Sequence, residues 1–268
     1  MLSTLIPPAG LPLDVAELRR QVRMGNSTSE DASLRRYIGG VTLCAETETQ
    51  RSLVARRLQL TLDRFGSCIE LEHGPVLQVV SVAYRLESGT WQTVDPAAYV
   101  CDLTEQPARL QPAWGDVWPT VNPEPARVRI QFDAGYVAPL AVDASTDTIR
   151  VRGVWPALTV GATLRLSNSG GALPAPLEPM TDYYVQAVMA PGVYRLATTA
   201  GGAAIDLTTA GSGSQYLGEI PDNVLNWMLL RGAALFQHRE SDVLVEKGQL
   251  QPLPFVDRLL DGSSTVTY

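Results

Sequence analysis

The sequence predicts an α+β fold. It should comprise a small helical bundle (two N-terminal helices plus a long C-terminal helix), an antiparallel β-sheet region, and an inserted all-β barrel or sandwich module. Three observations predict this. Apolar residues recur at helical spacing near both ends of the chain. From Leu58 the apolar period changes from 3.6 to two, the period of a half-buried strand. Residues 137–218 then hold 10 Gly and 6 Pro in 82 residues, with short alternating runs between closely spaced turn signals. A length of 268 residues fits one or two domains. The breaks in pattern divide it into a core of residues 1–136 and 219–268 and an insert of residues 137–218, with 249–268 a separable C-terminal segment.

Residues 1–12 read as an extended arm, because Pro7, Pro8 and Pro12 remove amide donors and bias the preceding residues to extended geometry. The first helix should begin at Asp14. Asp14 and Glu17 have capping-box spacing, Leu13 and Leu18 have staple spacing, and Val15, Leu18 and Val22 form the apolar stripe. Gly25-Asn26 ends it. The second helix should start around Ser27–Ser29, with Glu30 and Asp31 favouring the positive end of the dipole. Leu34, Tyr37 or Ile38, Val41 and Ala45 keep its spacing, and Gly39-Gly40 in mid-helix reads as close contact with another helix, in slight preference to the alternative of a tolerated kink. Strands follow at Leu58–Leu62, Val76–Tyr84 and Arg127–Asp133. The last sets Val128, Ile130 and Phe132 on one face and Arg127, Arg129, Gln131 and Asp133 on a wet one.

In the insert, Thr148–Gly153, Thr163–Ser167, Tyr183–Met189 and Val193–Ala197 are strand candidates, and Ser167–Gly171 and Gly211–Ser214 read as hairpin tips. Helical spacing returns at Pro221-Asp222, with Leu225, Met228, Leu229, Gly232, Leu235 and Phe236 as the stripe and His238 and Arg239 at the C-terminal end. Pro254–Leu260 should form a short amphipathic turn or helix.

Composition narrows the function. Charged residues are 18% of the chain and the formal net charge is −7, so a general nucleic-acid binder is disfavoured. By segment the net charge is +2 for 1–57, −5 for 58–136, −1 for 137–218 and −3 for 219–268, so no segment is a basic patch. Cys44, Cys68 and Cys101 are odd in number and widely spaced, and only His73 and His238 could join them, so no metal site is assigned. The N-terminus lacks a basic n-region, and no run approaches the ~18 apolar residues of a membrane span.

No GxSxG, Walker A, GxGxxG or HExxH pattern occurs. Glu70 and Glu72 share a strand face as glycosidase acids could, but charged residues on a solvated face are the plainer reading. Trp91, Trp114, Trp118 and Trp155 could form a sugar or base platform, but read better as anchors in cores and subunit interfaces. Catalytic, metal and cofactor assignments are therefore all none, and the chain reads as a non-enzyme.

The order of short motifs carries a resemblance. Two helices lead into Leu60-Thr61-Leu62-Asp63-Arg64-Phe65, then Gly74-Pro75-Val76 through Val82 and Val94-Asp95-Pro96-Ala97-Ala98-Tyr99. Pro107–Pro112, Gly115-Asp116-Val117-Trp118-Pro119 and Val128–Tyr136 follow, and after a gap Ile220-Pro221, Gln237–Glu240 and Leu253–Leu260. Over residues 11–136 and 219–262 the chain resembles the tailed-bacteriophage head–tail connector family, also called neck adaptor proteins.

The resemblance implies a homo-oligomeric ring, of about twelve copies, beneath the portal protein of a DNA-filled capsid. The ring would extend the channel for transient, non-specific passage of double-stranded DNA and offer a docking surface for a stopper or tail-terminator protein. It would be made in the bacterial cytoplasm and sit in the virion, away from any membrane. Leu253, Pro254, Phe255, Val256, Arg258, Leu259, Leu260 and Tyr268 would contact the portal; Tyr37, Val41, Trp227, Leu230 and Arg231 would lie at ring interfaces; Glu70, Glu72, Asp102 and Asp116 would line the channel. The alternatives are another neck or tail-completion (stopper) protein, or a carbohydrate-binding virion module acting through the insert. The family has no fixed equivalent of 137–218, which reads as a peripheral module whose removal a folded core should tolerate.

Overall fold

The computed structural model describes residues 1–238 and 258–263. In chain order the elements are β1 (Leu2–Ile6), α1 (Val15–Gln21), α2 (Asp31–Thr49), β2 (Arg56–Leu62), β3 (Ile69–Leu71), β4 (Val76–Arg85) and β5 (Trp91–Thr93). Next come β6 (Tyr99–Asp102), β7 (Ala108–Pro112), β8 (Val128–Ala134), β9 (Val137–Asp143), β10 (Thr148–Val151), β11 (Thr163–Leu164) and β12 (Leu166–Ala172). The chain continues through β13 (Tyr183–Ala190), β14 (Val193–Ala197), β15 (Ser212–Gly218) and α3 (Asp222–Gln237). The fold is α+β, with three helices and antiparallel sheets among the described residues.

Residues 56–134, together with β1, make a two-layer sandwich. One layer is a five-stranded sheet in the order β1-β2-β8-β4-β5, the other a three-stranded sheet in the order β3-β7-β6. The period-two alternation works as expected on the inner face: Leu58, Val82, Ile130 and Phe132 meet Leu71 and Leu110 from the smaller sheet. The opposite face is less wet than alternation implies. Asp133 is fully buried. It accepts two hydrogen bonds from the Arg57 guanidinium, at 2.8 and 3.0 Å, and one from Gln78 Nε2 at 2.7 Å. Arg127 is also buried and donates to the Arg85 carbonyl at 2.8 Å, while Arg129 lies over the Trp91 ring at 3.9 Å. Long side chains on neighbouring strands lie across one another, so cross-strand pairing covers charges that a single strand would leave wet.

Residues 137–218 form a seven-stranded antiparallel sheet in the order β11-β13-β14-β10-β9-β15-β12. Its two edge strands are separated in sequence only by Arg165. One nearly continuous segment thus supplies both edges, so the sheet must curl until they meet, as a barrel does. Leu140, Ile149, Leu166, Tyr183, Leu196 and Leu217 fill the interior. The Ser/Gly stretches are not free hairpin tips: they pair with each other as β12 and β15, with Ser169 opposite Ser214.

The helices pack between these bodies. Leu18 of α1, Leu34, Ile38, Val41 and Ala45 of α2, and Val224, Trp227 and Met228 of α3 share one core with Val137 and Tyr216 of the barrel. The buried α3 residues are Val224, Trp227, Met228 and Gly232, so the stripe is rotated from the expected one, and Leu235 is exposed. The close helix contact expected at Gly39-Gly40 is absent: a Cβ at either position would meet nothing within 4 Å. It occurs at Gly232, where a Cβ would lie 3.0 Å from a Leu18 methyl. In α2 the packed face is that of Ile38 and Val41, and the glycine pair falls beside it.

α1 begins with Asp14 accepting from the Ala16 amide at 2.8 Å. The reciprocal arm of the expected capping box is replaced. Ser169 of β12 accepts from the Asp14 amide at 2.7 Å and donates to the Glu17 carboxylate, and Ser214 of β15 donates to Asp14 at 2.6 Å. A Cβ at Gly170 would fall 2.6 Å from the Asp14 Cβ, so the Ser/Gly composition of these strands makes room for the helix start. α2 starts at Asp31, its N-cap Glu30 makes no side-chain cap, and Asp31 is paired with Arg19 of α1.

All three bodies meet where residues 52–55 run beside 135–137. Val137 and Tyr136 amides donate to the Leu53 carbonyl at 3.2 and 3.1 Å, and the Ala55 amide donates to the Val137 carbonyl at 2.7 Å. Gly135 has φ 151° and sits so close that a Cβ would lie 2.5 Å from the Ala55 backbone. Beside this joint, buried Glu46 of α2 accepts from the Leu53 amide at 2.9 Å and pairs with Arg56. Burial raises the Glu46 pKa above its ordinary 4.5, against the opposing pull of Arg56 and the Leu53 amide.

Three outcomes follow. Gly135→Ala forces backbone apart at the joint and should cost more than about 2 kcal/mol in chemical denaturation. Because folded Glu46 holds its proton more tightly than unfolded Glu46, its contribution is full below pH 4.5 and is lost as pH rises through the folded value. The stability difference, wild type minus Glu46→Gln, should therefore shrink as pH rises from roughly 4 to 7 in denaturation series at fixed ionic strength. Excising residues 138–217 removes Tyr216, which is core to the helices and donates to the Leu11 carbonyl at 2.7 Å. Contrary to the expectation from sequence, the excised chain should lack a cooperative thermal transition by circular dichroism.

Candidate interaction surfaces

The expected site residues fall into different environments. Of the five assigned to ring interfaces, Val41 and Trp227 are buried inside the subunit, with 3% and 1% of their surface exposed. They hold the helices together and offer no free surface. Tyr37, Leu230 and Arg231 are half-buried, and the Arg231 guanidinium lies 5.5 Å from the Trp227 ring centre. Glu70, Glu72, Asp102 and Asp116 are all exposed. The small sheet brings two of them together: Glu70 and Asp102 flank Arg109 across neighbouring strands, on the face away from the core. Asp116 lies in a turn beyond the end of that sheet.

Leu253, Pro254, Phe255, Val256 and Tyr268 lie outside the described residues, as does most of the expected Pro254–Leu260 turn. Arg258 is exposed, but Leu260 is buried in the helical core. Asn223 of α3 donates from Nδ2 to the Leu259 carbonyl at 2.6 Å and to Ser263 Oγ at 2.9 Å. Residues 259–263 are therefore docked on α3.

The four tryptophans do not make a platform. Trp91 lies under Arg129, Trp155 packs beside the barrel, and Trp118 stacks on Phe65 with centroids 4.8 Å apart and planes 8° from parallel. Trp114 is wholly exposed, and Val117 nearly so. They sit on a tight turn closed by the Asp116 amide donating to the Ala113 carbonyl at 2.9 Å, with Gly115 at φ 86°. Trp-Gly-Asp between a strand end and a proline was the local signal for an exposed turn; that Trp118 rather than Trp114 anchors it is a tertiary fact. A second apolar strip, at Leu5, Ile6 and Leu43, lies where edge strand β1 runs beside α2.

Little here suits catalysis. Burial, with Asp102 adding to it, pushes the Cys101 thiol up to about 11, so it stays protonated near neutral pH. Among the described residues no three His, Cys, Asp or Glu side chains cluster to hold a metal, and no helix is long and apolar enough to cross a membrane.

No protein-family profile matches the chain, and no curated protein matches it in sequence. Solved structures do match. A chain from the neck of an empty gene transfer agent (GTA) particle, computed with C6 symmetry, is 19% identical, with a TM-score of 0.58 covering 100% of this chain and 97% of that one. A chain from the virion of a native GTA particle gives 18% identity and a TM-score of 0.57, and one from the native GTA neck, computed with C12 symmetry, gives 17% and 0.53, at the same coverage. The chain shares the fold of these proteins.

Proposed function

We propose that this chain is a structural neck protein of a tailed-phage-like particle, a head–tail connector that forms a ring beneath the portal. The observation that carries this is the end-to-end likeness to chains of GTA neck assemblies, spanning 100% of this chain and 97% of the neighbour. A match to the helices alone would fit many functions. A match that also takes in sandwich and barrel supports that setting better, as an analogy of fold. The motif order over residues 11–136 and 219–262 points the same way independently.

The physical properties suit the role. Copies in a ring meet through two different patches, which a subunit with unlike ends can supply. The C6 and C12 symmetries of the neighbouring necks support a ring of twelve copies. Residues 58–136 carry a net charge of −5, and Glu70 and Asp102 sit on an outward sheet face. A channel wall of that sign would not hold phosphates, so DNA would pass without sticking. Residues 249–268 would reach the portal, with Leu260 rooting them in the subunit core. The opposite rim would receive a stopper or tail-terminator protein.

Particles assembled without this chain should accumulate as DNA-filled heads lacking tails, and adding the purified chain should restore tail joining. Electron microscopy of the completed neck should show its density as a ring directly below the portal. Tailed particles in its absence, or density elsewhere, would overturn the assignment. Replacing Phe255 and Val256 by Ser, which leaves Leu260 in place, should abolish portal docking without shifting the thermal transition.

A further inference from the structure

We infer that the Trp114 turn of one copy docks into the arginine-rimmed cavity between the N-terminal arm and the barrel of the next copy. This rests on the ring reading above and identifies the contact that would build the ring. Strand register separates the two features within one subunit. β8 runs from Val128, paired with Leu62, to Ala134, paired with Arg56. The joint to helices and barrel is at the Ala134 end, while Phe65, which holds Trp118, follows Leu62 at the other. The Trp114 turn therefore projects from the far end of the sandwich, and the cavity lies beyond the joint. A projection and a hollow at opposite ends of one chain are the parts of a head-to-tail contact.

The two are complementary in three ways. The cavity, about 810 Å³, includes Pro8, Leu11, Pro139 and Val142 in a mixed polar and apolar lining, apolar groups on which an indole can pack. Arg35 and Arg152 also line it, neither in an ion pair among the described residues, and they outnumber its one carboxylate, Asp14, which already accepts from the Ala16 amide and Ser214. Asp116, two residues from Trp114, is an exposed carboxylate equally without a salt bridge there, so charge complements charge. Gln215 is another wall of the cavity, and its buried Oε1 has no hydrogen-bond partner. The indole N–H of a docked tryptophan is a donor and no acceptor, the group such an oxygen lacks. The acidic hollow by α3, lined by Glu17, Glu219 and Asp222, would instead repel Asp116.

Two complementary variants test the contact. One copy carries Arg35→Glu and Arg152→Glu, keeping only its turn; the other carries Trp114→Ala and Asp116→Ala, keeping only its cavity. All four substitutions are at exposed residues, so both copies should keep the wild-type melting curve. Each alone should remain monomeric in sedimentation velocity at ~100 µM. Their mixture should form a one-to-one dimer that goes no further, with a blue shift of tryptophan emission. Trp114→Ala in otherwise native chain should weaken self-association about 30-fold or more, as loss of a buried interface tryptophan does. Absence of the dimer, or wild-type assembly indifferent to Trp114→Ala, overturns the contact. Rings still seen beneath the portal with Trp114→Ala would remove this contact and leave the ring reading standing. Saturation of the cavity by another virion protein, with no pairing of copies, would equally overturn it.

Discussion

The crossing of residues 52–55 with 135–137 is the constraint on which the rest depends. There α2 becomes β2 and β8 becomes β9, so helices, sandwich and barrel are all reached through two backbone segments in hydrogen-bonded contact. At a contact that close, one residue without a Cβ is a geometric requirement, and Gly135 supplies it. Glu46 and Arg56 stand beside it as a charged pair whose other bonds satisfy the Leu53 amide. Pairing and backbone satisfaction together are what make a buried charge tolerable.

From that joint, the barrel is an integral part of the body. Val137 and Tyr216 lie in the helical core, and Ser169 and Ser214 complete the start of α1. A helix of two turns has too few internal hydrogen bonds to persist alone, so α1 depends on this external cap and on Leu18 packing against Gly232. The insert and the helices therefore stabilise each other, which fits a structural neighbour that contains both over nearly its full length.

The surfaces left over are unequal. The outer sheet face is closed by Arg57–Asp133 and by Arg129 over Trp91, and so presents mixed charge with little apolar area. Exposed apolar groups include those of the Trp114 turn and of the β1–α2 strip. Isolated exposed apolar residues are ordinary, but a wholly exposed tryptophan offers a large apolar area for a partner to cover.

Much of this was legible in order along the chain. Helix positions, the strands at β2, β4, β8, β13 and β14, and the change of pattern between residues 137 and 218 follow from periodicity and turn residues, because those signals act between neighbours in sequence. What the sequence could not show is which partner each exposed-looking residue meets. Trp227 and Val41 carry the apolar character of interface residues, yet face the subunit core, because the rotation of α3 is set by α1 and α2 rather than by its own stripe. The Ser/Gly stretches carry the composition of loops, yet are paired strands that cap a helix 155 and 200 residues away in the chain. Local periodicity determined the elements; packing between segments far apart in sequence decided which faces are hidden, which glycines are required and which tryptophan is left free to bind.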